Sequence, residues 1–359
     1  MQVRFSLLVR ILSATLSLPH YFLCEYKKGI SDMAYFNGTN SNDTWYGTSE
    51  DDNIRGYGGN DTLRGGQGYD RIFGGDGHDR LYGDGGNDYL FGGNGNDSIS
   101  GGSGSDYLSG GNGRDQLFGG SGNDYLTGDA GDDYVVGGTG NDDIYGGAGR
   151  DLLNGGAGND LIYGGTGNDT LYANAGNDKL YGGEGNDALF VKGNYDYFGT
   201  LGNNSLYGEA GNDQLTGYFG NDLLSGGTGN DTLYGDRGND NLVGGAGDDI
   251  MTGGADADNF IFESPDYVRS SGLFGGFGTG GFGFTNFNPN DFILPINGHD
   301  VITDFEIGLD KITFNNGNIR YSDLSISQSG ADTIIQYGAD QIVLLDTTAT
   351  DLHFSDFVF

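Results

Sequence analysis

One large apolar residue recurs every nine positions, from Trp45, Ile54 and Leu63 through to Leu180 and Leu189, in a background of glycine, asparagine and aspartate. Read in blocks of nine from Gly38, residues 38–190 form seventeen consecutive blocks without insertion or deletion. The block Gly155-Gly156-Ala157-Gly158-Asn159-Asp160-Leu161-Ile162-Tyr163 stands for the others, with the apolar residue at its eighth position. A three-residue segment with one apolar residue at its centre predicts a short strand pointing one side chain inward and two outward. The six-residue remainder, with glycine dominating positions 1, 2 and 4, predicts a chain reversal. Two blocks, eighteen residues, then predict one coil with a strand on each side. Coils stacked as parallel strands about 4.8 Å apart predict a narrow roll, two sheets facing each other across a single file of Leu, Ile and Val.

The sixth position brings the chemistry. It is aspartate in all seventeen blocks: Asp43, Asp52, Asp61, Asp70, Asp79, Asp88, Asp97, Asp106, Asp115, Asp124, Asp133, Asp142, Asp151, Asp160, Asp169, Asp178 and Asp187. After Phe190 the register slips through an eight-residue block that carries Asp196, and the next block has Asn204 in place of aspartate. The pattern resumes with Asp213, Asp222, Asp231, Asp240, Asp249 and Asp258. Across the slip, stacked partners are expected seventeen residues apart instead of eighteen, weakening at least one site.

A core of one apolar side chain per nine residues does not offset the entropy of ordering them, about 1–2 kcal/mol each for the backbone alone. Aspartates stacked along one edge, such as Asp124, Asp142 and Asp160, also repel one another. A metal-free roll is therefore expected to be unstable, with cations seated between the carboxylates. Oxygen donors alone, one carboxylate per loop and glycine-freed carbonyls describe a hard cation of flexible coordination: calcium, in preference to zinc or magnesium.

These repeats, GGxGxDxUx with an apolar residue at U, resemble the hemolysin-type calcium-binding RTX repeats. The resemblance implies a right-handed parallel β-roll solenoid, all-β, with calcium held between loops of adjacent coils by the position-6 aspartates and loop carbonyls. With about one ion per pair of stacked loops, the roll takes on the order of twenty ions.

Composition fits this reading. The chain has 359 residues, seventy-four of them glycine, and 51 acids against 16 bases give a net charge of −35. Such acidity excludes nucleic acid as a partner and disfavours a bare anionic membrane. On the order of twenty calcium ions, about +40, offsets it. Extracellular sites of low affinity bind calcium near 10⁻⁴–10⁻³ M, so the chain is expected to fold outside the cell. The single Cys24 provides no disulfide framework, and no stretch reads as a membrane span.

The pattern divides the chain into segments. Residues 1–37 are an atypical N-terminal extension, in which 1–32 carry a charge of +2 and Met33 reads as the true start. Residues 38–190 are the first roll, 191–207 the slip and 208–262 a second block of repeats. Residues 263–298 are a Gly/Phe-rich insertion whose GxGxxG match at Gly276, Gly278 and Gly281 reflects composition. Residues 299–359 form a C-terminal β cap, with strands expected at 301–305, 311–314, 324–327, 333–337 and 341–345 and turns at Gly308, Asn316–Gly317 and Gly338. The run from His299 to Ile312 resembles the closing segment of serralysin-type C-terminal regions. Asp300, Asp304 and Asp310 read as turn residues, with one more ion site as the alternative. Asp356-Phe357-Val358-Phe359 resembles the uncleaved signal read by type I secretion systems.

No enzyme is expected. His20, His78, His299 and His353 form no HExxH, and neither GxSxG nor a Gly-Lys dipeptide occurs. The expected function is a secreted, non-catalytic surface or matrix scaffold; the alternative is an accessory module of a polysaccharide-modifying or hydrolytic exoprotein. Tyr89, Tyr107 and Tyr125, and separately Tyr145, Tyr163 and Tyr181, are expected to stack on sheet faces. Such ladders brace sheets, at about 0.2–1 kcal/mol per pair, and are also the candidate contact for a surface polysaccharide.

Overall fold

The computed structural model describes residues 35–191, 202–262, 299–314, 319–338 and 340–359. The expected extension up to residue 34, Asp196, the insertion at 263–298 and the turn at Asn316 lie outside the described residues. Two long sheets face each other, of 15 and 16 strands, and successive strands alternate between them. Within each sheet the repeats pair in parallel eighteen residues apart, as Leu153 with Leu171 and Ile162 with Leu180. The fold is an all-β parallel solenoid closed by C-terminal strands, and the position-8 residues from Ile54 to Leu242 are fully buried in one file.

The strands are twice the expected length. Leu152–Ala157 and Leu161–Thr166, each of six residues, are separated only by Gly158, Asn159 and Asp160. The reason lies in glycine at position 1. It faces inward like the apolar residue two places before it, so the pleat continues, and the burial of Leu161–Thr166 alternates accordingly. Chain reversal takes three residues, and the loop is correspondingly tight. Gly158 (φ +141°) lies where any side chain would collide with the carbonyl oxygen of Gly140 one coil before.

The roll also begins earlier than the repeat pattern indicates. Tyr35–Asn37 pairs with Asn53–Gly58, and Phe36 stacks on Trp45 at 4.5 Å to close this end of the core.

At the slip, the expected spacing of seventeen is wrong. Lys179 pairs with Ser205 and Ala188 with Gln214, each 26 residues on. The eight-residue block adds to a full coil of eighteen and does not shorten it, so both sheets run through without a break. Likewise Ile250 pairs with Val301 and Asn259 with Lys311, so the register holds across separations of 51 and 52 residues.

Beyond Met251 larger rings, Phe260, Phe262, Phe305 and Phe314, join the buried core. Asp340–Leu344 pairs in parallel with His299–Ile302, and the antiparallel run through Asp332–Tyr337 to Ser325–Ser329 extends that sheet to its end, while Phe357–Val358 ends the other. The terminal strand Ser325–Ser329 is short and polar, the kind of edge that resists pairing with another chain. Among the described residues, no helix is long and apolar enough to cross a membrane.

Candidate metal centre

The two edges of the roll each carry a column of position-6 side chains. One holds Asp43, Asp61, Asp79, Asp97, Asp115, Asp133, Asp151, Asp169, Asp187, Asp213, Asp231 and Asp249. The other holds Asp52, Asp70, Asp88, Asp106, Asp124, Asp142, Asp160, Asp178, Asn204, Asp222, Asp240 and Asp258. In each column the main-chain N–H of one residue donates to Oδ1 of the next, as Asp142 to Asp160 at 2.9 Å. Half of each carboxylate is thereby satisfied by the backbone, a contact that repulsion between the acids alone does not anticipate.

The other half is not. Oδ2 of Asp61, Asp160, Asp258 and eighteen further aspartates of the two columns is buried without a hydrogen-bond partner. Each lies beneath position 1 of its own block, which is glycine in every case but that of Asp178, whose block opens on Ala173. At Gly155 a Cβ would collide with Oδ2 of Asp160, so glycine makes the cradle that receives the oxygen. A buried carboxylate oxygen without a partner is strongly unfavourable. Burial, aided by the charges of Asp178 and Asp142 and opposed by the hydrogen bond from Asp142, pushes the Asp160 carboxyl up to about 7. Burial likewise lifts Asp142 to about 6 and Asp133 to about 7.

The exceptions sit at the start of the roll. Thr39 and Thr48 occupy position 2, and their N–H groups donate to Oδ2 of Asp43 and Asp52 at 2.6 and 2.7 Å. These two loops satisfy their own carboxylates.

Among the described residues no three acidic, histidine or cysteine side chains gather at one point. A cation between coils would therefore be held by the column carboxylates together with main-chain carbonyls of the glycine loops. That donor set is all oxygen and suits calcium. Bound there, the ion would supply the charge that the buried Oδ2 atoms lack.

Sequence reading left the column ends out of the aspartate set. The N–H of Asp249 donates to Asp300 (3.2 Å) and that of Asp258 to Asp310 (2.9 Å), so both columns continue into the cap. Asp304 serves differently, accepting from the N–H groups of Gly253 and Gly254. The signal was present: Asp300-Val301-Ile302 and Asp310-Lys311-Ile312 repeat the order of positions 6 to 8. Asn204 enters its column as an aspartate would, but its amide also donates to the carbonyl of Gly202 and to Asp222.

The two tyrosine ladders are one. Tyr89, Tyr107 and Tyr125 stack in turn, Tyr125 meets Tyr145 at 5.1 Å, and the column continues through Tyr163 and Tyr181 to Tyr207. The rings use their faces on one another.

A family model for the RTX calcium-binding nonapeptide repeat matches eleven overlapping stretches, beginning with 37–72 and ending with 225–260. No curated protein matches the chain. Among solved structures, it is similar to the AlgE6R3 subunit of the mannuronan C5-epimerase of Azotobacter vinelandii, with 26% identity and a TM-score of 0.26. That similarity covers 50% of this chain and 80% of the subunit. It is also similar to the extracellular lipase LipA of Serratia marcescens, at 18% identity and a TM-score of 0.28, over 68% of this chain and 40% of the lipase. The repeats that build both aspartate columns carry the family match, and the chain belongs to the RTX calcium-binding nonapeptide repeat family.

Proposed function

We propose that this protein is a secreted scaffold that calcium assembles outside the cell. The observation that carries the reading is the run of buried, unpartnered Oδ2 atoms along both edges. In the absence of divalent cations those atoms oppose folding; with calcium between the coils they hold the coils together. On this reading the column aspartates are the ligands, and the roll takes on the order of twenty ions. A chain that is unfolded where calcium is scarce is competent for export through a type I apparatus, and Asp356 to Phe359 are the signal. On folding, Phe357 and Val358 pair with Ile312 and Thr313, which withdraws that segment into the cap.

The role is structural and non-catalytic, at the cell surface or in the matrix. Two long faces joined by calcium-bearing edges give a rigid rod whose outward positions are open to contact.

Circular dichroism during calcium titration of the full chain tests this. A cooperative gain of β signal is expected between about 10⁻⁴ and 10⁻³ M calcium, reversed by chelator. Full sheet content after exhaustive removal of metal would refute it.

A further inference from the structure

Every coil of a repeat protein answers the same structural demands, so a place where several positions depart together has another cause. One such place lies on the edge of the 15-stranded sheet near its start. Along this edge the position-5 side chains form their own ladder, each accepting the main-chain N–H one coil on, as Asn123 from Asn141 and Asn141 from Asn159. The N–H of Tyr69 donates to Oδ1 of Asp51 at 2.8 Å, but its ring offers no acceptor to the N–H of Asn87 one coil on. Among the described residues the ladder from Asp51 to Ala257 is broken at this ring alone.

The ring faces solvent, 62% exposed, and stacks on no other ring among the described residues. It walls a hollow of about 240 Å³ with Asp51, Asp52, Asn53, Arg71 and Tyr89. Arg71 lies over Tyr89, its guanidinium carbon 5.9 Å from the ring centre, and pairs with no carboxylate among the described residues. In a chain of net charge −35 an arginine so placed keeps its fork of donors available.

We propose that this hollow binds a neutral pyranose ring of a glycan. Its volume is below the roughly 300–1,000 Å³ of clefts for drug-sized ligands and suits one sugar ring. Its walls mix donors (Arg71, Asn53) with acceptors (Asp51, Asn53), and sugar hydroxyls do both. Tyr69 offers a free aromatic face for the apolar C–H face of the ring. The carboxylate of Asp51, exposed beside the hollow, repels an anionic sugar. The site requires a folded roll and nothing else from the scaffold reading, so export and location do not bear on it.

The test uses the calcium-loaded full chain with the neutral methyl glycosides of glucose, galactose and mannose, and methyl glucuronide as the anionic counterpart. Saturation-transfer NMR and tyrosine fluorescence report binding. Tyr69→Asn and Arg71→Ser place at these positions residues that other blocks already carry, so both variants are expected to fold, which circular dichroism verifies. At least one neutral glycoside is expected to bind, and each variant to weaken it by about tenfold or more. No neutral binding by the wild-type roll, binding unchanged in both folded variants, or preference for the glucuronide would each overturn the proposal.

Discussion

The main-chain N–H of Asp142 donates to Oδ1 of Asp160, 2.9 Å away and one coil further on, while Oδ2 of the same carboxylate is buried with no hydrogen-bond partner. One oxygen is held by the fold and the other waits for charge from outside it. That division lets the backbone fix the geometry of the column while leaving its stability to the solution.

Exchanging aspartate and asparagine within a column is the direct test. Asp160→Asn keeps the acceptor for Asp142 and removes the negative charge, so the calcium midpoint for folding is expected to rise. Asn204→Asp is expected to do the reverse, adding a carboxylate where the amide now donates to Gly202 and Asp222. Calorimetric titration reads both, and the second variant gains bound calcium relative to the wild type.

Acid is expected to substitute in part for calcium. Burial lifts the carboxyls of Asp142 and Asp160 to about 6 and about 7, above the 3.8 usual for an aspartate. A raised pKa means that the roll binds more protons than the unfolded chain. Metal-free stability is therefore gained as pH falls from about 7 toward 4, and lost as pH rises through that window. In chelator, β signal at pH 5 is expected to exceed that at pH 7.5, and calcium affinity to fall on acidification. A metal-free β signal indifferent to pH would contradict this account.

Gly158→Ala places a methyl against the carbonyl oxygen of Gly140 at a φ of +141°. The neighbouring Ala157 is exposed at the end of its strand, at a repeat position that holds serine in Ser103 and Ser121. The glycine variant is expected to need more calcium to fold and to unfold at lower temperature by several degrees, while Ala157→Ser behaves as wild type.

Tyr145→Ser removes two ring contacts, with Tyr125 and with Tyr163. At about 0.2–1 kcal/mol per cross-strand pair the loss is about 0.4–2 kcal/mol, seen as a lower midpoint in urea at saturating calcium.

The repeat made the coil readable. Leu153 and Leu171 stack because they stand eighteen residues apart, and sequence spacing alone states this. The strand length was hidden, because position 1 faces inward yet carries no side chain, so Gly155 left no apolar mark in the pattern. The inward direction of the aspartates was hidden too. Polar side chains in glycine loops read as solvent-facing turns, and only the cradle beneath Gly155 reveals the burial of Asp160. The column ends at Asp300 and Asp310 carry the right spacing to their own isoleucines. They follow segments of other texture, and a search by fixed period does not reach across those. The slip failed for a related reason: a count along the chain cannot tell a short coil from a complete one with eight residues added to it.

That addition defines how the molecule measures distance. Because Lys179 still meets Ser205 in register across 26 residues, length along the axis is counted in coils and not in residues. Each coil is a graduation of about 4.8 Å, and chain added between two strands leaves the scale unaltered. A version with one coil of eighteen residues deleted would be a ruler shorter by a single mark, its two ends unchanged and every remaining division in place.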